Sequence, residues 1–305
     1  MSTPGKERRE AFGIRDEEKE QFINDLYKAN NILGMSLLVA SLTAVLLAMV
    51  IYSCFVTLQC MRVTLIKNFL VAILFQEHIT LVLQALVYFA RNERLPDIRC
   101  LFRNTSFCEA LIASSKYFEL TALCWLAVIS YNQWCRSKPK LNNRFNFLTI
   151  FLIGWITPIL PTAVWVGLMA HKDESDATKC WPGHNSKAEI AILEGSKLLF
   201  ILIALGFLSL NYFNLYHGRE IINVEEVLKQ RTESHMASCV WFWFTLAHVV
   251  YVSATHAQYH PLDFRSMTAW SYILTVLLSS GGLVAATCFC FVDQDVREML
   301  KSYKP

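Results

Sequence analysis

Long apolar stretches separated by short polar segments account for most of this chain. Seven stretches reach the length of about 20 residues that an α-helix needs to cross the hydrocarbon core of a bilayer. They are predicted as spans one to seven, at Asn31–Thr57, Thr64–Ala90, Cys108–Trp134, Phe147–Ala170, Ala188–Tyr216, Ala237–Thr255 and Ser266–Phe291. The pattern predicts an all-α membrane protein with a polar segment at 1–30, a seven-transmembrane bundle at 31–292 and a short amphipathic helix with a tail at 293–305.

The composition supports this interpretation and excludes other classes. Of the 305 residues 54% are hydrophobic and 17% are charged, whereas an average soluble domain carries about 25% charge. Seven spans leave no room for a large soluble catalytic domain. The net charge of +3 is small, and no basic stripe with interleaved aromatic residues occurs. We therefore expect a lipid membrane around the chain and no nucleic-acid partner.

Charge and cysteine placement favour an extracellular N-terminus in the cell membrane. An odd number of spans puts the two ends of the chain on opposite sides. With the N-terminus outside, the inner segments hold twelve Lys and Arg residues against eight in the outer loops, although residues 1–30 add six more. Asn104 begins an Asn-Thr-Ser glycosylation sequon in an outer loop, and Cys100, Cys108 and Cys180 lie at the same side, where disulfides persist.

Several motifs follow one another in a fixed order. Cys108 precedes Trp125 by seventeen residues, Gly154-Trp155-Ile156-Thr157-Pro158 lies in span four, and Cys180 is followed by a tryptophan. Span seven ends with a glycine, a Val-Ala pair, an aromatic-rich Cys-Phe-Cys-Phe run and an Asp-Gln-Asp-Val sequence. The chain thereby resembles the seven-helix core of the secretin-like (class B) G-protein-coupled receptors, which adhesion and methuselah-like receptors share.

The resemblance implies a receptor that binds an extracellular peptide or small molecule in the outer cavity of the bundle and signals through a heterotrimeric G protein. It also implies a disulfide between Cys108 and Cys180, with Cys100–Cys180 as the rival pairing. The family has a large extracellular hormone-binding domain, but here only about 30 residues precede span one and none is cysteine. We therefore expect either a truncated or alternative product, or a ligand handled by the bundle alone.

Ionisable residues inside the spans are candidates for the ligand site, because charges in a membrane usually face the bundle interior. Gln76, Glu194 and His248 also match pocket positions of the family by resemblance. Glu194 and Lys197 are three residues apart and are predicted to pair on one helix face; polar packing between helices is the alternative. The predicted ligand cavity consists of Gln76, Glu77, Lys116, Glu119, Glu194, Lys197 and His248.

The inner half departs from the family pattern. The family closes its inactive state with a buried cluster of His, Glu, Thr and Tyr, and span six of the family has a Pro-x-x-Gly kink that this chain lacks. Arg62 matches a family arginine, and we predict that it lies near Asp295 and, with Asp293, holds the tail helix; exposed, solvated charges are the alternative. In this chain the four cluster positions are Ile66, Ile129, Ser238 and Phe289.

These departures leave other functions open. The first alternative is a decoy, chaperone or dimer partner of a full-length receptor that does not itself couple to G proteins. A seven-span channel is another, although no inverted repeat supports a transporter. A metal hydrolase would use His256 and His260, but neither an HExxH nor a GxSxG motif occurs. We therefore expect a receptor rather than an enzyme, with no cofactor and no metal.

Overall fold

The computed structural model describes residues 4–55, 60–91, 105–138, 146–170, 190–217, 224–257 and 264–302. All regular elements in this part of the chain are helical. They are α1 Pro4–Cys54, α2 Met61–Arg91, α3 Thr105–Arg136, α4 Phe147–Ile156, α5 Ile159–Ala170, a π-helical turn Ile190–Glu194, α6 Gly195–His217, α7 Val224–Ala257, α8 Phe264–Ser279, α9 Gly281–Ala286, a π-helical turn Thr287–Phe291 and α10 Gln294–Ser302.

Six helical segments in the described residues are long and apolar enough to cross a membrane, and a bent pair of helices completes a seventh span. Spans one, two, three, five and six lie in α1, α2, α3, α6 and α7; span four comprises α4 and α5, and span seven comprises α8, α9 and the following turn. The prediction of an all-α seven-span bundle is confirmed. Below, the end of the bundle that holds Lys197 is the upper end, and the end that holds Arg62 is the lower end.

The helices extend beyond several predicted limits. The backbone of residues 4–30, predicted as a polar segment, is helical and continuous with span one. Pro4 occupies the start of this helix, where a missing N–H costs nothing, and the following Lys, Arg and Glu residues are good helix formers. Span six continues downward as the 34-residue helix α7, without a break. That continuity agrees with its lack of proline and glycine.

A fully buried tryptophan organises the centre of the bundle. The indole of Trp125 in span three lies so close to Gly154 in span four that a Cβ at this glycine would overlap the ring. The adjacent Trp155 donates its Nε1–H to Asn68 Oδ1 in span two at 3.1 Å, and the Tyr117 hydroxyl donates to the Trp155 carbonyl at 2.8 Å. The glycine–tryptophan pair therefore fixes span four against spans two and three.

Span four was predicted as one helix but is interrupted between α4 and α5 at Thr157 and Pro158. Proline lacks the N–H that would bond to the carbonyl four residues earlier, and its ring crowds that carbonyl. The turn is preserved in part, since Thr157 N–H bonds to the Ile153 carbonyl at 3.3 Å. Both halves still form one span of the membrane.

Span seven, also predicted as one helix, bends by 43° between α8 and α9. Glu77 of span two accepts a hydrogen bond from Gly282 N–H at 2.8 Å, and the Ser41 hydroxyl of span one accepts one from Leu283 N–H at 2.7 Å. The same hydroxyl donates to Glu77 Oε1 at 2.7 Å. Side chains from two other spans thus satisfy amide groups that the break would leave unpaired.

Candidate functional site

A network of buried charges joins three spans at the upper end of the bundle. Lys197 in span five places its Nζ 2.7 Å from Glu119 Oε1 of span three and 2.8 Å from Glu194 Oε1 of its own helix. The side chain of Lys197 is 4% exposed, and that of Glu194 is 8% exposed. An ammonium group at this depth is stabilised by two carboxylates, because an unpaired charge in the membrane interior is costly.

Span six completes this network. His248 Nδ1 lies 3.1 Å from Glu194 Oε2, so the two oxygens of one carboxylate contact spans five and six. Tyr251, one turn above His248, presents its ring to two ammonium groups, with the centroid 5.4 Å from Lys197 Nζ and 5.9 Å from Lys116 Nζ. Such cation–π contacts add about 0.5–2 kcal/mol each, depending on how far water is excluded.

Local backbone geometry explains the position of Glu194. It ends the π-helical turn Ile190–Glu194, after which Gly195 begins the regular helix α6. π-helical turns are rare and occur frequently at functional sites. The predicted three-residue spacing of Glu194 and Lys197 places them on one face, and the ion pair between them is present. No pattern of residues predicted the π-helical turn.

The structure brings together five of the seven residues predicted for the ligand cavity, namely Lys116, Glu119, Glu194, Lys197 and His248. Glu77 of span two lies elsewhere, buried against spans one and seven, where it accepts a hydrogen bond from Gly282 N–H. Its second oxygen, Oε2, is buried with no hydrogen-bond partner among the described residues. Gln76 is half-buried in span two, and its backbone carbonyl accepts a hydrogen bond from the Thr80 hydroxyl.

A second ionic cluster lies at the lower end. Arg62 of span two bonds to Asp293, which precedes α10, and its Nη1 lies 2.9 Å from Glu233 Oε1 of span six. The predicted neighbour Asp295 is farther from the guanidinium, at 3.8 Å. Asp293 also accepts a bond from Asp295 N–H at 2.9 Å and so caps the first turn of α10.

Three residues of this cluster were missed by the sequence analysis. Glu233 Oε2 lies 2.6 Å from Arg136 Nη1 of span three, and Lys229 Nζ lies 2.6 Å from Asp295 Oδ2. Glu233 and Lys229 precede the predicted start of span six, because a hydropathy pattern ends where charges begin although the helix continues. A helical periodicity extended below the apolar window would have placed both on α7.

Three of the four positions that replace the family's polar cluster lie together. Ile66, Ile129 and Phe289 are buried and line one small cavity. The same cavity is lined by Arg62 and Glu233. Ser238 is directed elsewhere, since its hydroxyl lies 3.4 Å from the hydroxyl of Tyr212 in span five.

Other predicted sites fall partly or wholly outside the described residues. Cys100, Asn104, Cys180 and His260 lie there, and for Cys108 only the helical backbone is described, so the disulfide and the glycosylation site stay predictions. The seven cysteines whose side chains are described are all free thiols. In the described part of the chain, no group of three or more His, Cys, Asp or Glu residues is arranged to hold a metal ion.

Comparison with known proteins matches residues 27–285 to the family described as "7 transmembrane receptor (Secretin family)". The chain is 25% identical over 279 residues to "Calcitonin receptor-like protein 1" of Caenorhabditis elegans, a match that covers 86% of this chain and 49% of that protein. It is 24% identical to the "Calcitonin gene-related peptide type 1 receptor" of Danio rerio, over 86% of this chain and 53% of the relative.

A "PDF receptor" of Drosophila melanogaster is 25% identical over 90% of this chain and 41% of its own length. The chain therefore spans about half the length of the curated relatives that it matches.

Proposed function

Because this chain belongs to the secretin family of seven-transmembrane receptors, we propose that it binds an extracellular peptide or small molecule at the upper end and signals through a heterotrimeric G protein at the lower end. Membership of this family makes it a multi-pass membrane protein of receptor type and not an enzyme. The ligand, the coupling and the orientation are the parts that we propose.

We place the upper end outside the cell. The inner segments hold twelve Lys and Arg residues against eight in the outer loops, which supports this orientation when the six in residues 1–30 are left out of the count. So do the sequon at Asn104 and the cysteines at positions 100, 108 and 180, which belong to segments at the upper side. Non-reducing peptide mapping of the protein from cell membranes will recover a Cys108–Cys180 linked peptide. A free Cys108 together with a free Cys180 would contradict the bridge.

The network around Lys197 is the observation that carries the proposed ligand site. It concentrates two carboxylates and two ammonium groups inside the bundle at one end, with Glu119 25% exposed and Lys197 almost fully buried. A ligand amino group can bind the exposed side of Glu119, while a ligand carboxylate can bind Lys116. The chemistry therefore suits the charged terminus of a peptide or a zwitterionic small molecule.

The names of the relatives supply the first probes, because one is named as a receptor for calcitonin gene-related peptide and another for PDF. Cells that express the chain with an N-terminal tag should be tested with these two peptides in a G-protein activation assay, with surface expression measured in parallel. We expect activation that Glu119→Gln reduces at least tenfold in potency. Glu226→Gln, which changes an exposed carboxylate of span six, is the matched control.

A second function is favoured by one specific observation, the continuity of α7. Since span six holds neither proline nor glycine and runs unbroken from Val224 to Ala257, it has no built-in hinge. The chain would then act as a non-coupling decoy or partner subunit of a full-length receptor. This alternative predicts energy transfer in cells between a labelled copy of this chain and a labelled full-length receptor. It also predicts that this chain activates no G protein in any condition.

A further inference from the structure

The free thiols of the described residues differ in exposure and in depth. Those of Cys54, Cys60 and Cys239 are exposed, and the other four are buried or half-buried. Cys54 ends span one at the lower end, and Cys60 directly precedes α2 at the same end. Cys239 lies six residues above Glu233, which places it about 9 Å deeper at a rise of 1.5 Å per residue. Among the described residues, Cys54 and Cys60 are therefore the exposed thiols at the lower interface.

Cys54 continues the lipid-facing stripe of span one. Val50, one turn above Cys54, is 55% exposed, and Leu46, one turn above Val50, is 50% exposed. The opposite face holds Ala48 and Tyr52, which are fully buried in the bundle. Because residues four apart share one face of a helix, the thiol of Cys54 stands at the lower end of the face that contacts lipid tails. A chain attached to this sulfur enters the bilayer directly.

Cys60 lines a cavity beside α10. Its backbone is fixed at the start of α2, since its carbonyl accepts hydrogen bonds from the Thr64 N–H at 3.0 Å and the Thr64 hydroxyl at 3.1 Å. The cavity has a volume of about 320 Å³, within the range of about 300–1,000 Å³ that is usual for small-molecule sites. Val63, Val296 and Met299 form an apolar part of its wall.

The charged residues in the wall of this cavity are already paired. Asp293 bonds to Arg62, and Asp295 Oδ2 lies 2.6 Å from Lys229 Nζ. Glu298 accepts a hydrogen bond within its own helix. The part of the wall that is left for a ligand is therefore apolar, which suits a hydrocarbon chain better than an ion.

We propose that Cys54 and Cys60 form a site of reversible S-acylation. Cysteines next to the membrane are the positions at which this modification occurs. The thiol gives its proton to a base of an acyltransferase, and the thiolate attacks the carbonyl carbon of a fatty acyl-coenzyme A. The new S–C bond forms as the bond to the coenzyme A sulfur breaks, and coenzyme A leaves as its thiol. The chain on Cys54 lies beside Val50 in the bilayer, and the chain on Cys60 lies in the cavity against Val296 and Met299.

Fatty acyl-coenzyme A is a cytosolic donor. The modification therefore requires the lower end to lie inside the cell, and it rests on that part of the proposed function. It does not depend on the ligand or on coupling to a G protein.

Exchange of thioester-linked acyl groups for a polyethylene glycol tag tests the site. In the full chain from cell membranes, free thiols are blocked, thioesters are cleaved with neutral hydroxylamine, and the released thiols are tagged. We expect a shift of two tags in the unaltered protein, of one tag in Cys54→Ser or Cys60→Ser, and no shift in the double variant. Cys239→Ser, which removes an exposed thiol deeper in the bundle, is the matched control and should still shift by two tags.

Mass spectrometry of the unaltered protein covers the case in which a variant is not made in the cell. Peptides that contain Cys54 and Cys60 should carry a fatty acyl mass that hydroxylamine removes. The proposal is overturned if the unaltered protein does not shift, if the shift does not need hydroxylamine, or if it persists in the double variant.

Epitope tags at the two ends of the chain separate this inference from the proposed function. If only the N-terminal tag is detected on intact cells and no acyl group is found, the acylation is wrong and the orientation stands. If the C-terminal tag is detected on intact cells, the orientation and the acylation fail together. If both cysteines are acylated and no G protein responds to either candidate peptide, the acylation stands and the proposed coupling fails.

Discussion

Replacing Lys197 by methionine should be among the most destabilising single changes at the upper end. The substitution keeps an unbranched side chain of similar length but removes the cation that lies 2.7 Å from Glu119 and 2.8 Å from Glu194. Exposed ion pairs contribute about 0.2–1 kcal/mol. This pair is buried, and removing one partner of a buried pair costs about 3–5 kcal/mol because the remaining charge is uncompensated.

The cost should depend on the carboxylates that are left behind. Converting Glu119 and Glu194 to glutamine in the Lys197→Met background removes the uncompensated charges, so most of the lost stability should return. Each kcal/mol of lost unfolding free energy lowers the midpoint of thermal unfolding by about 2–4 °C in a chain of 150–250 residues. We therefore expect the midpoint of thermal unfolding to fall by at least about 5 °C in Lys197→Met and to recover in the triple variant.

Thermal unfolding of the purified protein in detergent, followed by intrinsic fluorescence, measures these shifts. Lys301→Met is the matched control, because Lys301 is an exposed lysine of α10. If Lys197→Met unfolds at the same temperature as this control, the buried network contributes nothing measurable. Such a result would refute the mutual dependence of the charges on Lys197, Glu119 and Glu194.

Three further predictions concern glycines and the bend of span seven. A Cβ at Gly282 would lie 2.7 Å from both carboxylate oxygens of Glu77, so Gly282→Ala should destabilise the protein by about 1–3 kcal/mol; at the matched control Gly281→Ala the nearest atom is 3.6 Å away. Gly154→Ala should destabilise the protein because the added Cβ overlaps the indole of Trp125 in span three. Gly167 has open space around it, so Gly167→Ala should stabilise its helix by up to about 1 kcal/mol. The midpoint of thermal unfolding should therefore fall in the first variant and rise in the second. Glu77→Leu should free the backbone amide of Gly282 and raise its hydrogen exchange, and unchanged exchange there would contradict the capping role.

Predictions from the sequence succeeded where a local property determines the structure. The length of the apolar stretches predicted seven membrane-spanning helices. In a bilayer, only α-helices and closed β-barrels pair all of their backbone N–H and C=O groups. The spacing of Glu194 and Lys197 predicted their contact because residues three apart on a helix share one face. The position of Arg62 near the tail helix followed from the family pattern.

Predictions failed or were not made where contacts between distant segments decide the geometry. The bend of span seven depends on Glu77, which lies 205 residues before the amide it accepts from. The depth of Glu77 in span two predicted that it lines the upper cavity. Its carboxylate instead lies against Gly282, where the absence of a side chain leaves room for it. Glu233 was overlooked because the hydropathy of span six ends above it, whereas its α-helix continues below.

The proposed function rests on the charge network at the upper end, where Lys197 contacts Glu119 and Glu194. The most direct measurement is G-protein activation by the two candidate peptides in cells that express the unaltered chain, Glu119→Gln or Glu226→Gln at equal surface density. We predict that at least one peptide activates the unaltered chain and Glu226→Gln with equal potency, and Glu119→Gln with at least tenfold lower potency. Equal potency at all three proteins, or no activation of the unaltered chain by either peptide, would contradict the proposed ligand site and coupling.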